Sequence, residues 1–147
     1  MAISKETLLE VAKDAQFQPN ITEKVLHLFA FLDEMNQHPG LNGKFALKGG
    51  TALNLFVFAV PRLSIDIDLN YIGTAQGEAL KSDREVIKIA VQAICKQLGL
   101  NCQLGSDVHA GMKFTVIGAK HEHCGDINDF LHVSTWARKS SGSGYIR

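Results

Sequence analysis

The chain has 147 residues, 46% hydrophobic and 20% charged, with 15 basic and 15 acidic side chains and a formal net charge of zero. That length suits one domain burying roughly two-thirds of its unfolded surface, and the composition is far from a disordered or membrane profile. The charge balance excludes a global field drawing the protein to nucleic acid, so any such contact has to be local. No run approaches the roughly 18 apolar residues of a membrane span, and the opening MAISKETLLE lacks the regions of a signal peptide. We therefore expect no membrane association and a cytoplasmic location. Cys95, Cys102 and Cys124 make an odd set with no close pair in sequence, which predicts reduced thiols serving as small apolar residues.

In chain order, Leu8, Val11, Ala12 and Ala15 at helical spacing behind a Ser4 N-cap predict a helix over residues 4–16. Asn20 and Glu23 have capping-box spacing, and Ile21, Val25, Leu28, Leu32 and Met35 form the stripe of a second helix ending before Pro39-Gly40. Asn42-Gly43 marks a turn, and residues 44–48 read as a short buried strand. Gly49-Gly50 breaks that strand, and a helix-compatible stretch follows from Thr51 to about Phe58, where Pro61 stops it. From Arg62 to Tyr71 polar and apolar residues alternate strictly, with Arg62, Ser64, Asp66, Asp68 and Asn70 on one face of a strand.

Ser82 and Glu85 suggest another capping box opening a helix to Leu98, with Val86, Ile89, Ala90, Ala93 and Ile94 as its buried stripe and Gly99 as its stop. Residues 101–104 and 112–117 read as two strands joined by a turn. Beyond Gly118 periodicity is lost, and the closing ARKSSGSGYIR resembles a linker. The expectation is an α/β (α+β) fold, a small mixed sheet packed by helices, over residues 1–118, followed by an irregular tail over 119–147.

The chemistry concentrates at the glycine turn and the alternating strand. Two aspartates two residues apart on a strand hold their carboxylates about 6 to 7 Å apart on one side, a repulsive arrangement relieved by a divalent ion or by water. Hard oxygen donors of this kind suit magnesium, which takes one or two protein carboxylates and completes its shell with waters and phosphates. A Gly-Gly turn between strand and helix offers the phosphates a backbone cradle, to which Thr51 adds a hydroxyl. Alone, Gly-Gly-Thr is a turn or cap and Asp-x-Asp a solvated edge; together, spaced by a short helix, they point to a metal-nucleotide site. Of the remaining polar residues, His121, His123 and Cys124 with Cys102 match no standard zinc spacing; Lys48 reads as a solvated strand-end lysine or a phosphate contact, and Arg62 as an ion-pair partner of Asp66 or Asp68 or a phosphate ligand.

The run ALKGGTALNLF followed by PRLSIDIDLNY closely resembles the AbiEii-type abortive-infection nucleotidyltransferases, a minimal branch of the polymerase-beta-like superfamily. HAGMKF at residues 109–114 is similar to a second, weaker family motif. The resemblance implies transfer of a nucleoside monophosphate from a nucleoside triphosphate to an acceptor hydroxyl on RNA, tRNA or protein. It further implies that Gly49, Gly50 and Thr51 hold the triphosphate, that Asp66 and Asp68 are catalytic and bind Mg2+, and that Lys113 neutralises phosphate charge. A cognate antitoxin is the implied protein partner. The family pattern adds a third carboxylate on a later strand and a helical C-terminal domain. Asp126 and Asp129 are the only aspartates after Gly118, their context CGDINDFLHV does not read as such a strand, and we expect no counterpart of the helical domain. The alternative is a nucleotide-binding module that does not catalyse transfer.

Overall fold

The structure is a computed structural model that describes residues 4–50, 67–73, 77–104, 111–117 and 131–137. Helices α1 (Lys5–Asp14) and α2 (Pro19–Gln37) precede strands β1 (Phe45–Lys48) and β2 (Ile67–Tyr71). Helix α3 (Gly77–Gln97) then leads to strands β3 (Asn101–Leu104), β4 (Gly111–Ile117) and β5 (Leu131–Ala137). The five strands form one mixed sheet in the order β1-β2-β5-β4-β3, antiparallel throughout except for the parallel β2-β5 pair. This agrees with the expected α/β class.

Helix α1 starts as its sequence predicts, with the Ser4 hydroxyl accepting a hydrogen bond from the Thr7 backbone N–H at 3.2 Å. Helix α2 does not use the Asn20–Glu23 capping box. It begins at Pro19, whose fixed φ suits the first helical position and whose missing N–H is an orphan there anyway, and Gln18 supplies no side-chain cap. Glu23 is buried instead, together with Thr22 and His27. Met35, Phe31 and Leu28 provide the inward stripe of α2, while Ile21, Val25 and Leu32 are only half-buried.

Helix α3 starts five residues before the predicted Ser82 cap, and its buried face is rotated from the expected one. Ile87, Ala90, Val91, Ile94, Cys95 and Leu98 point inward, whereas Val86 is 43% and Ile89 66% exposed. Both stripes have helical spacing, so periodicity alone does not choose between them; the inward one continues through Cys95 and Leu98 to the end of the helix, where Gly99 turns the chain at φ 72°. The core is the layer where α2 and α3 meet Ile67, Leu69 and Tyr71 of β2, with Phe45 and Leu47 of β1 packed against it. Asp68 and Asn70 alternate to the sheet face away from these helices.

Of residues 119–147, expected to be irregular, the described ones are 131–137. Leu131–Ala137, placed by sequence in an irregular tail, is a strand that pairs with β2 on one side and β4 on the other. Val133, Thr135 and Trp136 carry the β-branched and aromatic character that favours a strand, and two paired edges supply the ladder that a weak local pattern lacks.

Candidate functional site

Strand β1 delivers its polar end to the start of β2. The antiparallel register sets Lys48 opposite Asp68, so the two residues share a sheet face with Cβ atoms about 5 Å apart. Immediately after Lys48 the backbone turns from strand into helix at Gly49–Gly50, both exposed, with Gly49 at φ 76°. A Cβ at Gly49 would stand 2.6 Å from Asp68 Oδ2 and 3.4 Å from its Cγ, so the half-buried carboxylate of Asp68 lies directly over the bare Cα of Gly49. Glycine is required here twice, by its backbone angle and by the carboxylate that occupies the space of a side chain.

The register extends this row across the sheet. Asp68 pairs with Ser134 of β5, and Ser134 with Lys113 of β4, so Lys48, Asp68, Ser134 and Lys113 stand at one level of the sheet in backbone register. Two strand spacings, about 10 Å, separate Lys113 from Asp68. Among the predicted site residues the fold thus gathers Gly49, Gly50, Asp68 and the backbone position of Lys113. Thr51 and Asp66 lie outside the described residues, as do Arg62, His121, His123 and Cys124. Cys102 is described on β3, the edge strand at the other side of the sheet from β1.

Ser134 was not anticipated, because β5 itself was not. Strand β5 is a later strand that pairs with β2, and its sequence, LHVSTWA, contains no carboxylate. Among the described residues no group of three or more His, Cys, Asp or Glu side chains converges on a metal position. Asp68 alone, as a hard oxygen donor facing a glycine turn, fits the chemistry of a magnesium ligand that shares the ion with phosphate oxygens.

A second polar cluster lies at the opposite end of β1 and β2, about 10 Å from Asp68. The Tyr71 hydroxyl donates to Asp83 Oδ2 at 2.6 Å, and Lys44 forms an ion pair with Asp83 Oδ1. Burial pushes the Asp83 carboxyl up, but the hydrogen bonds from Lys44 and Tyr71 and the Lys44 charge outweigh it and hold the group below its ordinary value. These residues line an open groove of ≈ 590 Å³ with Ile72, Gly73 and Val86. Lys44, Tyr71 and Asp83 satisfy one another there, and they fasten α3 to the ends of β1 and β2. No motif in the sequence announces it, since Lys44, Tyr71 and Asp83 meet only through tertiary packing.

No curated protein and no solved structure matches the chain. The family model described as nucleotidyl transferase AbiEii toxin, type IV toxin-antitoxin system, matches residues 30–115, a span that runs from the second half of α2 into β4 and contains the glycine turn, both aspartates and Lys113. Such systems pair the toxin with a cognate antitoxin. A match over more than half of the chain, with a glycine turn held against the aspartate of the following strand, shows that this protein belongs to the AbiEii nucleotidyltransferase toxin family.

Proposed function

We propose that the protein is a magnesium-dependent nucleotidyltransferase that moves a nucleoside monophosphate from a nucleoside triphosphate to a hydroxyl of RNA, tRNA or protein. The observation that carries this reading is the contact between the Asp68 carboxylate and Gly49, which couples a metal-ligand residue to a phosphate-cradling turn. In the reaction the acceptor oxygen attacks the α-phosphorus, the bond to the β-phosphate oxygen breaks, and pyrophosphate leaves. Gly49, Gly50 and Thr51 hold the triphosphate through backbone N–H groups and the Thr51 hydroxyl. Asp66 and Asp68 would hold the metal, and Lys113 would neutralise charge on the phosphates. Bound magnesium supplies Lewis-acid polarisation of the phosphoryl oxygens. Cytoplasmic action, where triphosphates and reduced thiols abound, follows from the same reading; among the described residues no helix is long and apolar enough to cross a membrane.

A second reading is supported by β5, which lies beside β2 without a carboxylate: a module that binds nucleotide but does not transfer it. Incubation with each α-labelled triphosphate, magnesium and total RNA or protein separates the two. Label on an acceptor, lost in Asp68→Asn, supports the enzyme. Magnesium-dependent binding without label transfer supports the module, and absence of both binding and transfer overturns the nucleotide site itself.

A further inference from the structure

Lys48 closes β1 directly before the glycine turn, and its side chain is half-buried. Phe45 and Leu47 pack against the core, so Ala46 and Lys48 alternate to the sheet face away from the helices, the face to which Asp68 and Asn70 turn on β2. The antiparallel register sets Lys48 opposite Asp68, with Cβ atoms about 5 Å apart. The Asp68 carboxylate leans toward the residue that follows Lys48, with Oδ2 2.6 Å from an ideal Cβ at Gly49. The lysine stem carries its ammonium roughly 5 Å beyond Cβ, enough to reach such a carboxylate. The other sheet cations are placed differently: Lys44 is paired with Asp83 at the far end of β1, and Lys113 stands two strands away in register. Among the described residues Lys48 is therefore the sheet cation nearest to Asp68 in register.

We propose that Lys48 is the resident counter-ion of Asp68, a cation that neutralises the carboxylate while no metal is bound and moves to the triphosphate when a metal takes its place. The inference rests on the reading of Asp68 and the glycine turn as a metal-nucleotide site. A half-buried carboxylate has lost part of its hydration, and an opposite charge within reach compensates the loss. An ammonium and a divalent ion do not share one set of carboxylate oxygens, because both need the same lone pairs and the two cations repel.

Such an exchange makes metal and triphosphate help each other to bind. Metal alone has to displace the ammonium and leave it beside a second positive charge. Metal arriving with triphosphate brings phosphate oxygens to the glycine turn, one residue from Lys48, and the displaced ammonium pairs with them through charge-assisted hydrogen bonds. The coupling is reciprocal: the factor by which triphosphate raises metal affinity is the factor by which metal raises triphosphate affinity. Lys48 thus opposes idle occupation by metal and favours the loaded site. A solvated lysine does neither, and a lysine that only contacts phosphate does the second without the first.

Manganese, which accepts the same octahedral oxygen shell as magnesium, is the probe. It is titrated alone into the full chain and followed by the loss of its free-ion electron paramagnetic resonance signal. Each of the four α,β-methylene nucleoside triphosphates is then titrated at saturating manganese and followed by calorimetry. Lys48→Met should bind manganese alone about fivefold more tightly than wild type, because the competing ion pair is gone. It should bind the triphosphate about tenfold more weakly, because one charge-assisted contact is lost. The opposite signs separate this role from structural damage, which weakens both. Lys48→Gln should behave in the same way and carries the test should Lys48→Met fail to fold. Lys96→Met, which has the same net charge as Lys48→Met, should match wild type in both titrations. If wild type binds manganese and triphosphate, but the Lys48 variants bind manganese no more tightly or triphosphate no less tightly, the inference is overturned and the reading of the site stands. A wild-type chain that binds neither overturns both.

Discussion

Asp68 Oδ2 occupies the position against the Gly49 Cα that a side chain at residue 49 would need, at 2.6 Å from an ideal Cβ. Two separate penalties therefore attach to any substitution of Gly49: a left-handed backbone angle and a collision with a carboxylate. Gly43 provides a control, since it has nearly the same angle, φ 71°, and nothing within 4 Å of its added Cβ. We expect Gly43→Ala to cost about 1 kcal/mol from backbone strain alone and Gly49→Ala to cost about 2 to 3 kcal/mol. Urea denaturation of the two variants measures the difference. Equal losses would mean that the carboxylate does not press on Gly49.

Helix α3 supplies a sharper test of side-chain placement because its two apolar stripes interleave. Ile87 is 1% exposed and Ile89 66% exposed, although only one residue separates them. Ile87→Ala should cost about 2 to 5 kcal/mol by loss of packing and creation of a cavity, and Ile89→Ala no more than about 0.5 kcal/mol. The reverse order would restore the face that periodicity suggests from Val86 and Ile89.

That interleaving marks the boundary of what the sequence makes legible. The Ser4 cap, the strand at Phe45–Lys48, the Gly99 stop and the β3-β4 pair all follow from local signals: a capping hydroxyl, glycines at positive φ, and short apolar runs between turns. Which stripe of α3 turns inward is decided by α2 and β2, and local spacing is silent on that. Strand β5 draws its ladder from β2 and β4, two partners distant in sequence, so its seven residues read as tail. The candidate site shows the same division. Gly49, Gly50 and Asp68 are visible as motif residues, whereas the row that joins Asp68 to Ser134 and Lys113 exists only in the sheet register.

The Asp83 cluster predicts a pH dependence. Its folded-state pKa lies below the ordinary 3.8, so the carboxylate contributes stability above about pH 3.8, where the unfolded group is ionised as well, and loses it as pH falls through the lower folded value. Asp83→Asn should accordingly be less stable than wild type at pH 7, with the gap closing below pH 3.8. Tyr71→Phe, which removes one donor to a charged acceptor, should cost about 1.5 kcal/mol at pH 7 and less in acid. Thermal unfolding followed from pH 7 downward measures both, and a gap that widens in acid would contradict the assignment.

Lys113 stands two strands from Asp68 at the same level of the sheet, a separation that suits a cation acting on the phosphates rather than on the metal. On the proposed function, Lys113→Met removes one charge-assisted contact to the triphosphate and should weaken its binding about tenfold, the equivalent of about 1.4 kcal/mol. Magnesium binding in the absence of nucleotide should be unchanged, whereas Asp68→Asn should abolish it. Lys96→Met, at the far end of α3, serves as a charge control and should alter neither. Calorimetric titrations of magnesium alone and of triphosphate with magnesium distinguish the cases. A Lys113→Met protein that binds triphosphate as tightly as wild type would remove residue 113 from the site while leaving the contact between Gly49 and Asp68 to be tested on its own.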